Sequence, residues 1–107
     1  MYIIRRAYQV KPGQSREAAE LLKKIANIYT ESGQRGKTIV YYNAGTLPSP
    51  KNELNRVYMQ WASEILDSPY REENEFPDFG DVDEKLTPLL DDSDGPVTWI
   101  EFWEEFK

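Results

Sequence analysis

The stretch that decides the fold is Val97-Thr-Trp-Ile-Glu-Phe-Trp-Glu-Glu-Phe106. Alternating side chains of a β-strand point to opposite faces. The large apolar residues of this stretch divide between the two faces, with Val97, Trp99 and Trp103 on one and Ile100, Phe102 and Phe106 on the other. An antiparallel strand usually keeps one face in water, so this strand needs cover on both faces. Helices of the same chain can cover one face, and a second copy is the simplest cover for the other.

Composition narrows the possible chemistry. The 107 residues predict one domain spanning 1–107, and an apolar content of 39% with 13% aromatic residues is typical of a globular fold. The chain contains no Cys and no His, which excludes disulfides, thiolate or imidazole metal sites and Cys- or His-based catalysis. We expect no metal and no cofactor. The sequence has no membrane-span run and no signal-peptide pattern, so a cytoplasmic protein without a membrane partner is expected.

Charge is unevenly spread along the chain. The net charge is −6, yet residues 1–63 hold ten basic and four acidic residues, whereas residues 64–94 hold twelve acids and two bases. An acidic helical layer facing solvent or an acidic clamp for a metal or a basic partner would both produce this pattern. Asp91, Asp92 and Asp94 resemble part of a calcium loop but lack EF-hand spacing, so a turn is predicted there. With a sequence pI of about 4.7, nucleic acid is not expected as a partner.

The order of predicted elements is β-α-β-β-α-β. Strands are predicted at Tyr2–Val10, Lys37–Ala44, Leu54–Ala62 and over the final aromatic stretch. The first helix begins after Ser15 as a predicted N-cap and ends before Gly33, which suits a left-handed position. One face of this helix is apolar, formed by Ala18, Leu21, Leu22, Ile25, Ile28 and Tyr29. A second helical piece is predicted over Asp83–Leu90, and Ser68-Pro69 is a further possible helix start.

This order predicts a ferredoxin-like α+β fold with a four-stranded antiparallel sheet. In that plan the first and last strands are neighbours at the centre of the sheet, and helices cover only one sheet face. The bare face would then pack on the sheet of a second copy. The expected assembly is a homodimer, the dimeric α+β barrel.

Two short motifs resemble a known family. Arg6-Ala-Tyr8-Gln-Val10-Lys-Pro12-Gly13 resembles the start of NIPSNAP-like domains, and Gln60-Trp61-Ala62-Ser63 at the end of the third strand also resembles them. These domains belong to the dimeric α+β barrel superfamily, which includes antibiotic-biosynthesis-monooxygenase-like domains. The resemblance implies a homodimer with a pocket between each sheet and its helices. Members bind or transform small, often aromatic molecules, and some oxidise them without metal or flavin.

Adjacent arginines on the first strand raise a question about buried charge. Arg5 and Arg6 point to opposite faces, so at least one guanidinium lies inside if both faces are covered. Such a charge needs a partner. One interpretation is an ion pair with Glu101 on the neighbouring strand; the other is an anion or enolate anchor in a pocket, with Arg56 as an alternative anchor.

The aromatic residues of the strands also have two interpretations. They form a core and a dimer interface, or they line a cavity for a small aromatic or acidic compound. The candidate ligand-binding residues are Arg6, Tyr8, Asn43, Arg56, Tyr58, Trp61, Trp99 and Trp103. Three functions follow: a small-molecule-binding homodimer of unassigned activity, a cofactor-independent monooxygenase-like enzyme, or a structural or regulatory dimer without pocket activity. No catalytic residue is identified by the sequence.

Overall fold

The computed structural model of the chain describes residues 1–33, 37–45, 47–48, 55–64, 78–93 and 95–107. The elements follow the predicted order: β1 (Tyr2–Gln9), α1 (Ser15–Glu31), β2 (Ile39–Tyr42), β3 (Arg56–Ser63), α2 (Val82–Leu86) and β4 (Thr98–Glu104). A short 3-10 turn, Thr87–Leu89, continues α2. The predicted ferredoxin-like α+β fold is confirmed. The possible helix start at Ser68-Pro69 lies outside the described residues.

The four strands form one antiparallel sheet in the order β2-β3-β1-β4. Strand β1 pairs with β3 from Tyr2↔Ser63 to Gln9↔Arg56, and with β4 from Tyr2↔Glu104 to Tyr8↔Thr98. The first and last strands are therefore neighbours, as the sequence predicts, but the predicted central position of the last strand is wrong: β3 and β1 are the two central strands, and β4 pairs with β1 at an edge of the sheet. This arrangement brings β4 and β3, which are distant in sequence, to opposite sides of the same central strand.

Both described helices pack on the same face of the sheet. Their apolar side chains share one core with residues of β1 and β3, in which the largest fully buried side chains are Leu22, Met59, Val10 and Val57. Burying a Leu or Met side chain of this size stabilises the fold by about 1.5–3 kcal/mol. The amphipathic pattern of α1 thus fixes one sheet face as the helix-covered face. The in-phase positions Ile3, Arg5, Ala7 and Gln9 of β1 lie on the other face, which we call the open face.

Two details of the first helix differ in their agreement with the sequence. The predicted N-cap at Ser15 is wrong: Ser15 is the first helical residue, Gln14 occupies the cap position, and no side chain caps the helix. The Pro12-Gly13 turn brings the Gln14 amide to the Lys11 carbonyl, so the backbone itself closes the entry to the helix. At the other end Gly33 has a φ of 78°, which confirms the predicted left-handed position.

None of the described helices has the length and apolar content needed to cross a membrane. The predicted cytoplasmic location stays a prediction.

Candidate functional site

The open face carries an ordered layer of aromatic and charged side chains. Strand register places Tyr41, Tyr58, Ala7 and Trp99 in one row across the sheet. Side chains that face each other across neighbouring strands lie about 4.5–5.5 Å apart at Cβ. The small Ala7 lies between two large aromatic groups, the phenol of Tyr58 and the indole of Trp99, and the neighbouring side chains bury it completely. This row is the floor of the candidate site.

In the next row Arg5 forms an ion pair with Glu101. The Arg5 Nε donates to Glu101 Oε1 at 2.7 Å, and a terminal nitrogen lies 2.6 Å from the same oxygen. Two indole N–H groups also donate to this carboxylate, from Trp103 to Oε1 and from Trp99 to Oε2, each at 3.0 Å. The ion-pair interpretation is thus the one that the geometry supports for Arg5. We call Arg5, Glu101, Trp99 and Trp103 the Glu101 network.

The Glu101 network stabilises both charges. Burial by itself would raise the pKa of Glu101, but the hydrogen bonds from Trp99, Trp103 and Arg5 outweigh it and lower the pKa below its usual value. Burial likewise opposes the charge of Arg5, whereas hydrogen bonds with Tyr41 and Glu101 raise its pKa further. Both groups are therefore ionised at neutral pH. Their side chains are only 26% and 23% exposed, so solvent screens the pair weakly.

The guanidinium of Arg5 also lies over an aromatic ring. Its Cζ is 4.1 Å from the ring centroid of Tyr58, within cation–π range. Tyr41 stacks on Tyr58 with ring centroids 5.5 Å apart and an angle of 27° between the planes. The Tyr41 hydroxyl donates to Gln60 Oε1 at 2.6 Å. These contacts hold the Tyr58 ring in one orientation on the floor of the site.

A second arginine on the open face is held in a different way. The Arg56 Nε donates to Gln9 Oε1 at 3.0 Å, and its Cζ lies 4.8 Å from the ring centroid of Trp99. Gln9 in turn donates from Nε2 to the carbonyl of Asn55 at 3.2 Å. Among the residues that the structure describes, the terminal amino groups of Arg56 have no hydrogen-bond or ion-pair partner. The half-buried guanidinium is thus held in place, and none of the described residues neutralises it.

The structure divides the eight predicted site residues into three groups. Four of them lie on the open face: Arg56, Tyr58, Trp99 and Trp103. Three point to the helix-covered side, namely Arg6, Tyr8 and Trp61. Asn43 follows β2, where its Oδ1 accepts a hydrogen bond from the Gly45 amide at 2.6 Å. The candidate residues therefore do not form one cluster, and only the open-face group is assembled around a shared space.

The three residues on the helix-covered side have structural contacts. The Arg6 Nε donates to Thr98 Oγ1 at 3.1 Å, and its guanidinium lies 5.8 Å from the Tyr8 ring. Tyr8 belongs to the core and Trp61 packs against it. Two depressions of the described surface are one of about 240 Å³ lined by Trp61 together with Ile39 and Gln60, and one of about 460 Å³ at the C-terminal tail. The predicted pocket between sheet and helices stays a prediction.

Two residues of the site were not singled out in the sequence. Ala7 and Gln9 follow Arg5 at intervals of two residues on β1. Because alternate residues of a strand share a face, the sequence could have placed both on the same face as Arg5. No cluster of three or more acidic residues suited to a metal ion occurs within the described residues. Asp91 accepts a hydrogen bond from the Ser93 amide at 3.0 Å, which is the predicted turn at that position.

Solved structures with this fold include NIPSNAP domain proteins. An uncharacterized one from Burkholderia xenovorans is 17% identical, with a TM-score of 0.64 over 99% of this chain and 95% of its own. A NIPSNAP family protein from Agrobacterium tumefaciens strain C58 is 13% identical, with a TM-score of 0.60 over 98% and 92%. Another protein from Agrobacterium tumefaciens is 14% identical, with a TM-score of 0.53 over 100% and 95%.

No protein-family model matches the sequence, and no curated protein matches it significantly. The structural matches cover nearly the whole of each chain, so the likeness concerns the complete fold. The protein is a ferredoxin-like α+β domain, and its fold is NIPSNAP-like, as the two sequence motifs predict.

Proposed function

We propose that the protein is a homodimer whose two open faces pack together and enclose a binding site for a small organic molecule. The observation that carries the proposal is the Glu101 network, in which two indoles and a pair of opposite charges are held together on a sheet face that no described helix covers. Solvent-facing sheet surfaces normally carry flexible polar side chains. A face fixed by this many contacts is suited to burial.

The polar groups of the Glu101 network are satisfied within one chain. Arg5 pairs with Glu101, and the same carboxylate accepts both indole N–H groups. Burial under a second sheet therefore leaves no orphaned charge or donor in this network, which removes the usual cost of covering a polar face. Trp103 is 54% exposed and Ile39 is 41% exposed in the single chain, so apolar surface remains to be buried. Satisfied polar groups and unburied apolar groups together favour an interface.

A second copy is the proposed occupant because both surfaces would then have the same shape and the same chemistry. Two sheets that pack face to face lie about 10 Å apart, with their side chains interdigitated. The resemblance of the Arg6–Gly13 motif to dimeric α+β barrel domains supports this choice. In such a dimer the aromatic layers of the two copies, each with its Tyr58 and Trp99, would face each other with the ligand between them.

Catalysis is not part of the proposal. Cofactor-independent oxygenation requires a base or a substrate that is itself acidic. Glu101 has three donors on its two oxygens and a lowered pKa, which makes it a poor base. A monooxygenase-like activity therefore stays a prediction from the resemblance, and oxygen uptake with a quinol substrate and no added metal would test it.

Substitution of one exposed indole tests the proposed interface. We expect Trp103→Asp to convert the dimer into a monomer, because a carboxylate would be buried without a partner between the sheets. Leu47→Asp is the matched control, since Leu47 is 98% exposed and lies between β2 and β3, outside both strands. Light scattering after gel filtration measures the mass of both variants. A dimeric Trp103→Asp variant, or a monomeric Leu47→Asp variant, would contradict the proposed interface.

A further inference from the structure

The two arginines of the open face differ in one respect. Arg5 has a carboxylate at 2.6 Å, whereas the contacts of Arg56 with described residues are the Gln9 amide oxygen and the face of the Trp99 ring. The carboxylate of Glu101 accepts from Arg5, Trp99 and Trp103. Within the described residues, the positive charge of Arg56 therefore has no carboxylate beside it.

The charge of Arg56 becomes important when the open face is covered. A guanidinium is always protonated at physiological pH, so Arg56 cannot lose its charge on burial. Placing it under a second sheet without an anion would be very unfavourable, and the twofold axis of a dimer would bring a second Arg56 into the same layer. A buried interface with this residue therefore requires an anion near each Arg56.

We propose that each Arg56 binds the carboxylate of a small planar organic acid held between the two sheets, and that this acid promotes dimerisation. The inference rests on the proposed function and names its ligand class. The terminal amino groups of Arg56, which have no partner among the described residues, can donate two parallel hydrogen bonds to a carboxylate. The Gln9 contact and the Trp99 ring hold the guanidinium before the ligand arrives, so little side-chain entropy is lost on binding.

The neighbouring side chains favour a planar, aromatic acid. Tyr58 is two residues from Arg56 on the same face of β3, about 7 Å along the strand. Tyr58 is only 9% exposed, and its hydroxyl has no hydrogen-bond partner among the described residues. Ala7 is fully buried beneath these side chains, so a ring attached to a carboxylate at Arg56 would lie against the aromatic layer that contains Tyr58 and Trp99. The Tyr58 hydroxyl can then donate to a polar substituent of that ring.

Benzoate is a suitable probe because it has a planar ring and one carboxylate, and benzamide is its neutral counterpart. Sedimentation equilibrium measures the dimer dissociation constant with either compound. We expect benzoate at several times its binding constant to lower the dimer dissociation constant about tenfold or more, since two sites contribute. Benzamide should have little effect. Calorimetric titration of the protein with benzoate measures the binding directly.

The variant Arg56→Gln removes the charge but keeps a side chain that can contact Gln9. We expect it to dimerise without any requirement for an anion and to lose the response to benzoate. Arg16→Gln is the control, because Arg16 lies on α1 with a side chain that is 85% exposed. This control should respond to benzoate as the wild type does. Circular dichroism establishes that both variants are folded.

These experiments test the anion site at Arg56 separately from the homodimer. If benzoate does not change the dimer dissociation constant of the wild type, or if it still changes that of Arg56→Gln, the proposed anion site is wrong. The proposed homodimer would not be affected by either result. A crystal structure with a carboxylate side chain of the second copy on Arg56 would overturn it in the same way. A monomer at all concentrations, with or without benzoate, would overturn the proposed function and this inference together.

Discussion

At the scale of single residues, Glu101 organises the open face. It sits opposite Arg5 in the strand register and accepts hydrogen bonds from three side chains. We expect Glu101→Gln to lower the free energy of unfolding by about 2 kcal/mol, because Arg5 then lies partly buried without a charged partner. Urea unfolding measures the change. Glu104→Gln on the same strand is the control, since Glu104 is exposed; an equal loss in both variants would contradict this role.

The lowered pKa of Glu101 also gives a pH dependence. The folded state holds this carboxyl ionised more strongly than the unfolded state does, so its contribution is complete above the unfolded-state pKa. That contribution is lost as the pH falls through the lower, folded-state pKa. The stability difference between wild type and Glu101→Gln should therefore be largest near neutral pH and shrink in acid. A difference that stays constant from neutral pH into acid would show that ionisation of Glu101 does not matter.

At the scale of elements, α1 ends at a position that requires a left-handed residue. Gly33 has a φ of 78°, and a Cβ built there would meet nothing within 4 Å. The cost of Gly33→Ala is therefore conformational, about 1 kcal/mol of folding stability, with no steric clash. Thermal unfolding measures it. Asn27→Ala, at an exposed position in the middle of α1, is the control and should not destabilise the protein. If Gly33→Ala is as stable as the wild type, the left-handed conformation at the end of α1 is not required.

Hydrophobic periodicity predicted the elements and their order, because a helical or strand period persists through a whole element. Periodicity did not assign the faces of β1, since this strand has apolar residues in both phases: Ile3 and Ala7 in one, Ile4 and Tyr8 in the other. Arg5 and Arg6 therefore had two interpretations until the position of α1 fixed the covered face. The partner of Arg5 was predictable because the fold makes β1 and β4 neighbours.

The site was predicted less completely than the fold. The sequence gives Trp99 and Arg56 as candidate site residues. It does not show that the Arg56 guanidinium on β3 stacks on the Trp99 ring on β4, across the intervening strand β1. That contact depends on the small Ala7 between them, and a small residue has no signal of its own in a sequence. The prediction also included Asn43, whose amide oxygen is used locally in the turn after β2.

For the molecule as a whole, the central question is what covers the open face. One chain supplies a helical layer on one side of a four-stranded sheet and an ordered aromatic layer on the other. In the proposed homodimer, the Glu101 network would let that second layer be buried without an unpaired charge, and Arg56 would make the burial depend on an anion. A second copy with a bound organic acid satisfies both conditions in one assembly.

Native mass spectrometry of the purified wild-type protein tests this central claim most directly. The chain has a mass of 12.5 kDa, so the account predicts a species at twice that mass, with added mass where an organic acid has co-purified. Release of that acid after unfolding would identify the ligand. A single species at 12.5 kDa across the concentration range would contradict the account, because the open face would then be a solvent-exposed surface in the native protein.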